Sequence, residues 1–268
     1  MKKFLLMVPI VVATMLLTGC GADDDSITVG TIKYLNLTEA ELDETLLKSD
    51  EHHGKHKHIF YENLNTMTAA LLAGQIEEMI IYRTVALYLT VNHPERQWDM
   101  SAPTASDVFC LALRSDDAAL KAEFDAAIKQ MVKDGTLTKL LKTYLDETVR
   151  GVEPSAVELP TIYGAPTLKI GVTGDLPLLD YIRPDGTPAG FNTAVLAEIS
   201  RIIGKNFVLV QIDSGARAIA LTSKQVDVIF WAVAPKGNIL PANFDKPDGM
   251  ILTEPYFTDD IVHIMIVK

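Results

Sequence analysis

The sequence predicts an α/β protein made of two halves, each a mostly parallel sheet flanked by helices. Three observations predict it. Short apolar runs of strand length alternate with longer segments of helical spacing, the alternation occurs twice along the chain, and a stretch rich in proline and glycine separates the two series.

The first series opens with a strand from Ile27 to Thr31. Thr38 to Lys48 reads as a helix begun by a capping box, Thr38 with Glu41 three positions on. His58 to Glu62 is a strand, and Leu64, Met67 and Leu71 share one face of a helix that Gly74 ends. Met79 to Tyr82 and Val85 to Val91 repeat the theme, and Val108 to Leu113 is a further strand. Leu120, Phe124, Ile128 and Met131 then follow at helical spacing, with a break at Asp134-Gly135 before Leu137, Leu140, Leu141 and Tyr144.

Residues 151–167 hold Pro154, Pro160, Pro166, Gly151 and Gly164 without a sustained period, which is the pattern of a linker. The second series has strands at Leu168 to Thr173, Phe207 to Ile212, Asp227 to Val233 and Ile261 to Val267. Its helices are Phe191 to Ile203, with Phe191, Val195, Ile199 and Ile202 facing inward, and a short one from Ala216 to Thr222. In such sheets ligands bind outside the carboxyl ends of the strands.

Residues 1–19 join a basic start, Lys2 and Lys3, to an apolar run from Phe4 to Leu17 and a small-residue ending, which reads as an export signal. Leu17-Thr18-Gly19-Cys20 resembles the bacterial lipobox, so Cys20 is the expected lipid anchor. Acylation would hold the chain at the extracytoplasmic face of the cell membrane. Residues 20–26 lack a large apolar side chain and read as a tether. Cys110 is the one other cysteine, so the folded part has no intramolecular disulfide to lean on. Loss of Lys2 and Lys3 with the leader takes the formal charge from −11 to −13, which disfavours a nucleic-acid partner.

The second series, LKIGVTGDLPLLDYIRPDGTPAGFNTAVLAEISRIIGK, resembles the opening of family 3 extracellular solute-binding proteins, and SKQVDVIFWA and LTEPYFTDDIVHIMIVK continue the likeness. FYENLNTMTAALLAGQIEEMIIYRTVALYL resembles that family's second lobe, and VFCLALRSDDAALKAEFDAAIKQMVKDGTLTKLLKTYLDE its return strand and terminal helices. The halves therefore stand in reversed order, as in a circular permutation. The resemblance implies a type II-like periplasmic-binding-protein fold, with lobe two at 27–107, a return strand and terminal helices at 108–150 packing on lobe one, and lobe one with a crossing strand at 168–268. It implies a monomer, with exchange of halves between two chains as the other arrangement. It also implies capture of a small molecule for an ABC permease, with no cofactor.

By the same resemblance the ligand contacts are Thr173, Asp175, Tyr181, Ser214, Arg217, Phe230 and Trp231 on lobe one, and Tyr34, Asn36, Tyr82 and Arg83 on lobe two. Trp231 offers a large ring at the cleft mouth, with core packing as the other reading. Arg217 has the fork to hold a carboxylate or phosphate, or is a solvated arginine. Asn36 precedes a helix start that favours anions, or serves a turn. Ala234-Pro235-Lys236-Gly237-Asn238 lacks the arginine, and Tyr82 replaces the aspartate, that amino-acid binders of the family carry. The expected ligand is therefore not a standard amino acid but a larger, partly apolar solute. His52, His53, His56 and His58 have metal-ligand chemistry, yet Lys55 and Lys57 between them favour a solvated loop. Two rival classes stand: an enzyme of dehydratase type, for which Asp175 and Asp180 are the candidate carboxylates, and a sensor or scaffold lipoprotein.

Overall fold

Two three-stranded parallel sheets form the frame, each with its first strand in the middle. The computed structural model describes residues 26–33, 40, 44, 56–146, 153–233 and 248–267. In one half β1 (Ile27–Ile32) pairs with β2 (His56–Tyr61) on one side and β3 (Glu78–Tyr82) on the other. In the other half β6 (Thr167–Val172) lies between β10 (Asn206–Gln211) and β11 (Val228–Val233). Parallel neighbours need crossover connections, and helices supply them. The expected helix from Thr38 to Lys48, the leader with Cys20, and the tether lie outside the described residues.

Two ten-residue strands tie the halves together. β5 (Ala105–Arg114) and β13 (Phe257–Ile266) run antiparallel and pair where they meet, Phe257 to Ile261 against Ala105 to Phe109. Beyond that point they part. β5 continues against β11 and the short β12 (Met250–Leu252), while β13 continues against β3 and β4 (Trp98–Met100). The result is a single hydrogen-bonded ladder of ten strands across both halves. A separate small sheet, β7 (Asp175–Leu176), β8 (Asp180–Ile182) and β9 (Pro188–Ala189), follows β6.

The helices obey local signals. Asn63 caps α1 (Leu64–Leu72) through Oδ1, which accepts from Thr66 N–H at 3.0 Å, and Leu64, Met67 and Leu71 are buried. α2 (Arg83–Asn92) follows β3 without a side-chain cap of its own. α3 (Ala118–Asp134) ends at Gly135, whose φ of 81° stops it, and α4 (Thr136–Leu141) restarts with Leu137 buried. Both pack against α5 (Phe191–Ile203), so a pair of helices from the first series covers the sheet of the second. α6 (Arg217–Thr222) sits beside β11. One core cluster runs through both halves, with Phe109, Phe124, Phe191 and Met67 fully enclosed. No helix among the described residues is long and apolar enough to cross a membrane.

Candidate functional site

The carboxyl ends of β1, β3 and β6 converge on a cavity of about 110 Å³ between the halves. Thr31, Ile32 and Lys33 come from the end of β1, and Ile80, Ile81 and Tyr82 from β3. The crossing strands contribute Asp107 and Ile261. Opposite them stand Thr173, Asp175 and Leu176 after β6, Ser214 and Arg217 at the start of α6, and Phe230 on β11. The position is the one that parallel sheets dictate, where chain leaving each strand can bring functional groups to one place.

Two polar contacts close the halves on each other. Asp175 Oδ2 accepts the Leu64 N–H at 2.5 Å, so a carboxylate of one half sits on the amino terminus of α1 in the other. Ser214 N–H donates to Glu62 O at 3.3 Å, and Glu62 also pairs with Lys33 at 2.9 Å. Burial pushes the Asp175 carboxyl above its ordinary value, against the lowering effect of the Leu64 and Thr173 hydrogen bonds. Behind it Asp180 is buried and accepts from Thr173 N–H at 2.8 Å and from its hydroxyl at 3.2 Å, and burial raises its carboxyl to about 6.

Asp107 is a second buried carboxylate among the residues that line the cavity. Its side chain is 4% exposed, and Oδ2 accepts the Tyr82 hydroxyl at 3.2 Å. Oδ1 is buried and has no hydrogen-bond partner among the described residues. Burial lifts its carboxyl to about 6, with a further contribution from Asp259, its register partner on β13. Thr31 is equally buried, and its hydroxyl likewise has no partner among the described residues. Asp259 itself is engaged at the start of α2, where Oδ2 accepts the Thr84 N–H at 3.2 Å.

The expected contacts divide cleanly. Tyr82, Thr173, Asp175, Ser214, Arg217 and Phe230 line the cavity. Arg83 does not: it opens α2 as an exposed side chain. Nor does Tyr181, which lies half-buried on β8 beside Glu153 and Arg183. Arg217 turns its fork to backbone, donating to Phe230 O at 2.9 Å and Ser214 O at 3.4 Å. Tyr34, Asn36 and the Trp231 side chain lie outside the described residues, as do His52, His53 and the 234–238 loop. The His56 ring lies 5.9 Å from that of His263 at a tilt of 39°, and His263 Nδ1 lies 2.9 Å from Glu78, but no group of three or more metal-ligating side chains occurs among the described residues. Cys110 is buried in β5 with its thiol pushed up to about 12 by desolvation, a packing residue.

One expectation needs correction. Replacement of an aspartate by Tyr82 was one ground, beside the missing arginine at 234–238, for expecting a solute other than a standard amino acid. The structure returns a carboxylate to that place, because the Tyr82 hydroxyl is bonded to Asp107 on the neighbouring crossing strand. That exclusion is withdrawn. Thr31 and Asp107 are the residues sequence reasoning missed. The one signal was a charged residue at the mouth of an apolar strand, Asp107 immediately before Val108.

A two-lobed α/β cleft protein with a cavity between its halves has the periplasmic-binding-protein fold. Residues 168–236 match the family model of bacterial extracellular solute-binding proteins, family 3, so the chain carries that family's signature in its second series. No curated protein matches the sequence. Among solved structures it is similar to Tv2483 bound to L-arginine, with 11% identity over 91% of this chain and 78% of that one and a TM-score of 0.45. The VFT2 domain of Bordetella pertussis BvgS gives 11% identity over 91% and 82%, with a TM-score of 0.45. The GluR0 ligand-binding core in complex with L-glutamate gives 12% identity over 90% and 84%, with a TM-score of 0.41.

Proposed function

We propose that the protein is a lipid-anchored, extracytoplasmic solute-binding protein that captures a small molecule between two closing halves and presents it to an ABC-type importer. The observation that carries this reading is the cavity itself, whose polar groups come from both halves and whose walls meet through Asp175 and Leu64. A solute that touches both walls only when they are together shifts the molecule toward closure, and closure is what a membrane partner can recognise. The family signature at 168–236 supports the same class. The reversed order of the halves is part of the proposal. It rests on the packing of α3 and α4 against α5 and on the crossing of β5 and β13, which together return the end of the first series to the second.

Turnover has less to support it. Asp175 is held by the α1 terminus and Asp180 by Thr173, so neither carboxylate is poised over the cavity with a partner acid or base. The test is purification of the full chain from its own membrane, followed by mass spectrometry of what denaturation releases. An unaltered solute that rebinds and reduces the radius of gyration supports capture; a solute recovered chemically changed after incubation overturns it in favour of an enzyme.

A further inference from the structure

We infer that His56 and His263 form a site for a borderline divalent metal ion of the zinc type, with Glu78 as the carboxylate that positions His263. The site is separate from the cavity, whose lining includes none of the three residues, so it is independent of solute capture. β2 is the outer strand of its half and β13 a crossing strand, with β1 and β3 between them. The two rings nevertheless meet over the sheet, with centroids 5.9 Å apart and planes inclined at 39°. Imidazoles that share a tetrahedral ion about 2 Å from each nitrogen have centroids roughly 5 Å apart. Side-chain rotation that moves the rings by about 1 Å therefore brings the pair to a ligating separation.

Glu78 gives His263 the support that metal-bound histidines need. It lies on β3, paired with Val29 on one side and Met265 on the other, and is 6% exposed. Its Oε2 stands 2.9 Å from His263 Nδ1. A carboxylate only accepts, so Nδ1 carries the proton and the Nε2 lone pair is left for a metal. A dication at Nε2 also offsets the charge that Glu78 holds out of water. Lys57, which separates two of the histidines in sequence, does not crowd them. Alternation along β2 puts His56 and His58 on one face, their rings 6.4 Å apart, and sends Lys57 outward to solvent. No three ligating side chains gather at one point among the described residues, so the ion takes two imidazoles and completes its shell with water. Imidazole suits zinc, copper(II) and nickel and does not suit the hard cations magnesium and calcium.

The test is calorimetric titration of zinc chloride into the detergent-solubilised, chelator-stripped full chain at pH 7.5, with magnesium chloride as the hard-cation control. Zinc should bind and magnesium should not. His56→Ala and His263→Ala should each weaken zinc binding at least about tenfold, and Glu78→Gln roughly tenfold, the usual cost of losing such a supporting carboxylate. His93→Ala, a change outside the site, should leave zinc binding as it is. Zinc should raise the melting temperature of the wild type and not of His263→Ala. Melts without zinc establish that each variant folds, and His263→Gln takes the place of His263→Ala if the smaller side chain does not. Zinc binding that survives loss of His263 overturns the site and assigns the ion to other histidines. Unchanged affinity in Glu78→Gln overturns the positioning role. Magnesium binding as tight as that of zinc, or no zinc binding at all, overturns the proposal and leaves solute capture standing.

Discussion

Asp175 and Leu64 lie 111 positions apart in sequence and are joined across the cavity by one hydrogen bond, from the Leu64 N–H to Asp175 Oδ2. Asn63 satisfies the Thr66 N–H of the same helix, so α1 is capped once by its own neighbour and once by the opposite half. A carboxylate at a helix amino terminus is favourable both as an acceptor and against the helix dipole. Asp175→Ala should therefore lower stability by about 1–2 kcal/mol. Asp175→Asn, which keeps an acceptor oxygen, should lower it by less than half of that. Urea denaturation of the two variants checks the order, and equal losses would remove the capping role.

The buried carboxylates set a pH dependence of definite sign. Asp107 and Asp180 are each raised to about 6 in the fold, so folding favours their protonated forms. Their contribution is fully present below the ordinary aspartate range and is lost as pH rises through about 6. Each is worth on the order of 3 kcal/mol between pH 4 and pH 7. Glu95, Asp134 and Asp185 are shifted down, but they are exposed and oppose this weakly. Asp107→Asn should flatten the profile and raise stability at pH 7.5. Denaturation midpoints at pH 5 and pH 7.5 test it, and a wild-type protein that gains stability over that interval would contradict the assignment.

Gly190 leads from β9 into α5 with φ of 93°, and a Cβ there would lie 2.5 Å from Leu179 O. Backbone cannot give way as a side-chain tip does. Gly190→Ala should cost more than about 2 kcal/mol, combining left-handed strain with the clash. A drop in the melting temperature of only a degree or two would show that the turn is looser than described.

The proposed lipid attachment at Cys20 leads to a separate expectation. Cys20→Ser should move the protein from the membrane fraction to the soluble fraction while its melting curve stays unchanged, because on this proposal the thiol serves the lipid and not a bridge. Continued membrane retention of the variant would point to another anchor.

The elements legible in the sequence were those whose signals are local. Phe191, Val195 and Ile199 at helical spacing, closed by Gly204, mark α5 from end to end. Gly135 likewise divides α3 from α4 as its neighbours predict. β5 and β13 were read late, because Asp107 and Asp259 interrupt their apolar alternation and only pairing with each other explains why acids are buried there. The small sheet of β7, β8 and β9 went unread, since strands of two or three residues around Pro177 and Gly186 leave no period. The same division holds at the cavity. Thr173, Asp175 and Ser214 follow strand ends and were placed by the family resemblance, whereas Thr31 and Asp107 become cavity residues only through contacts made far along the chain.

The crossing of β5 and β13 has a consequence for how the protein comes apart. Each strand spends one part of its length in each half, so neither half owns a complete sheet. Separating the chain at the 151–167 stretch would leave β5 without β11 in one fragment and β13 without β3 in the other, with Phe109 and Ile264 stripped of their packing. Neither piece should hold shape alone, though the two should reassemble when mixed. The opening and closing proposed above would then bend the ladder at its middle rungs without giving either half the freedom to melt independently.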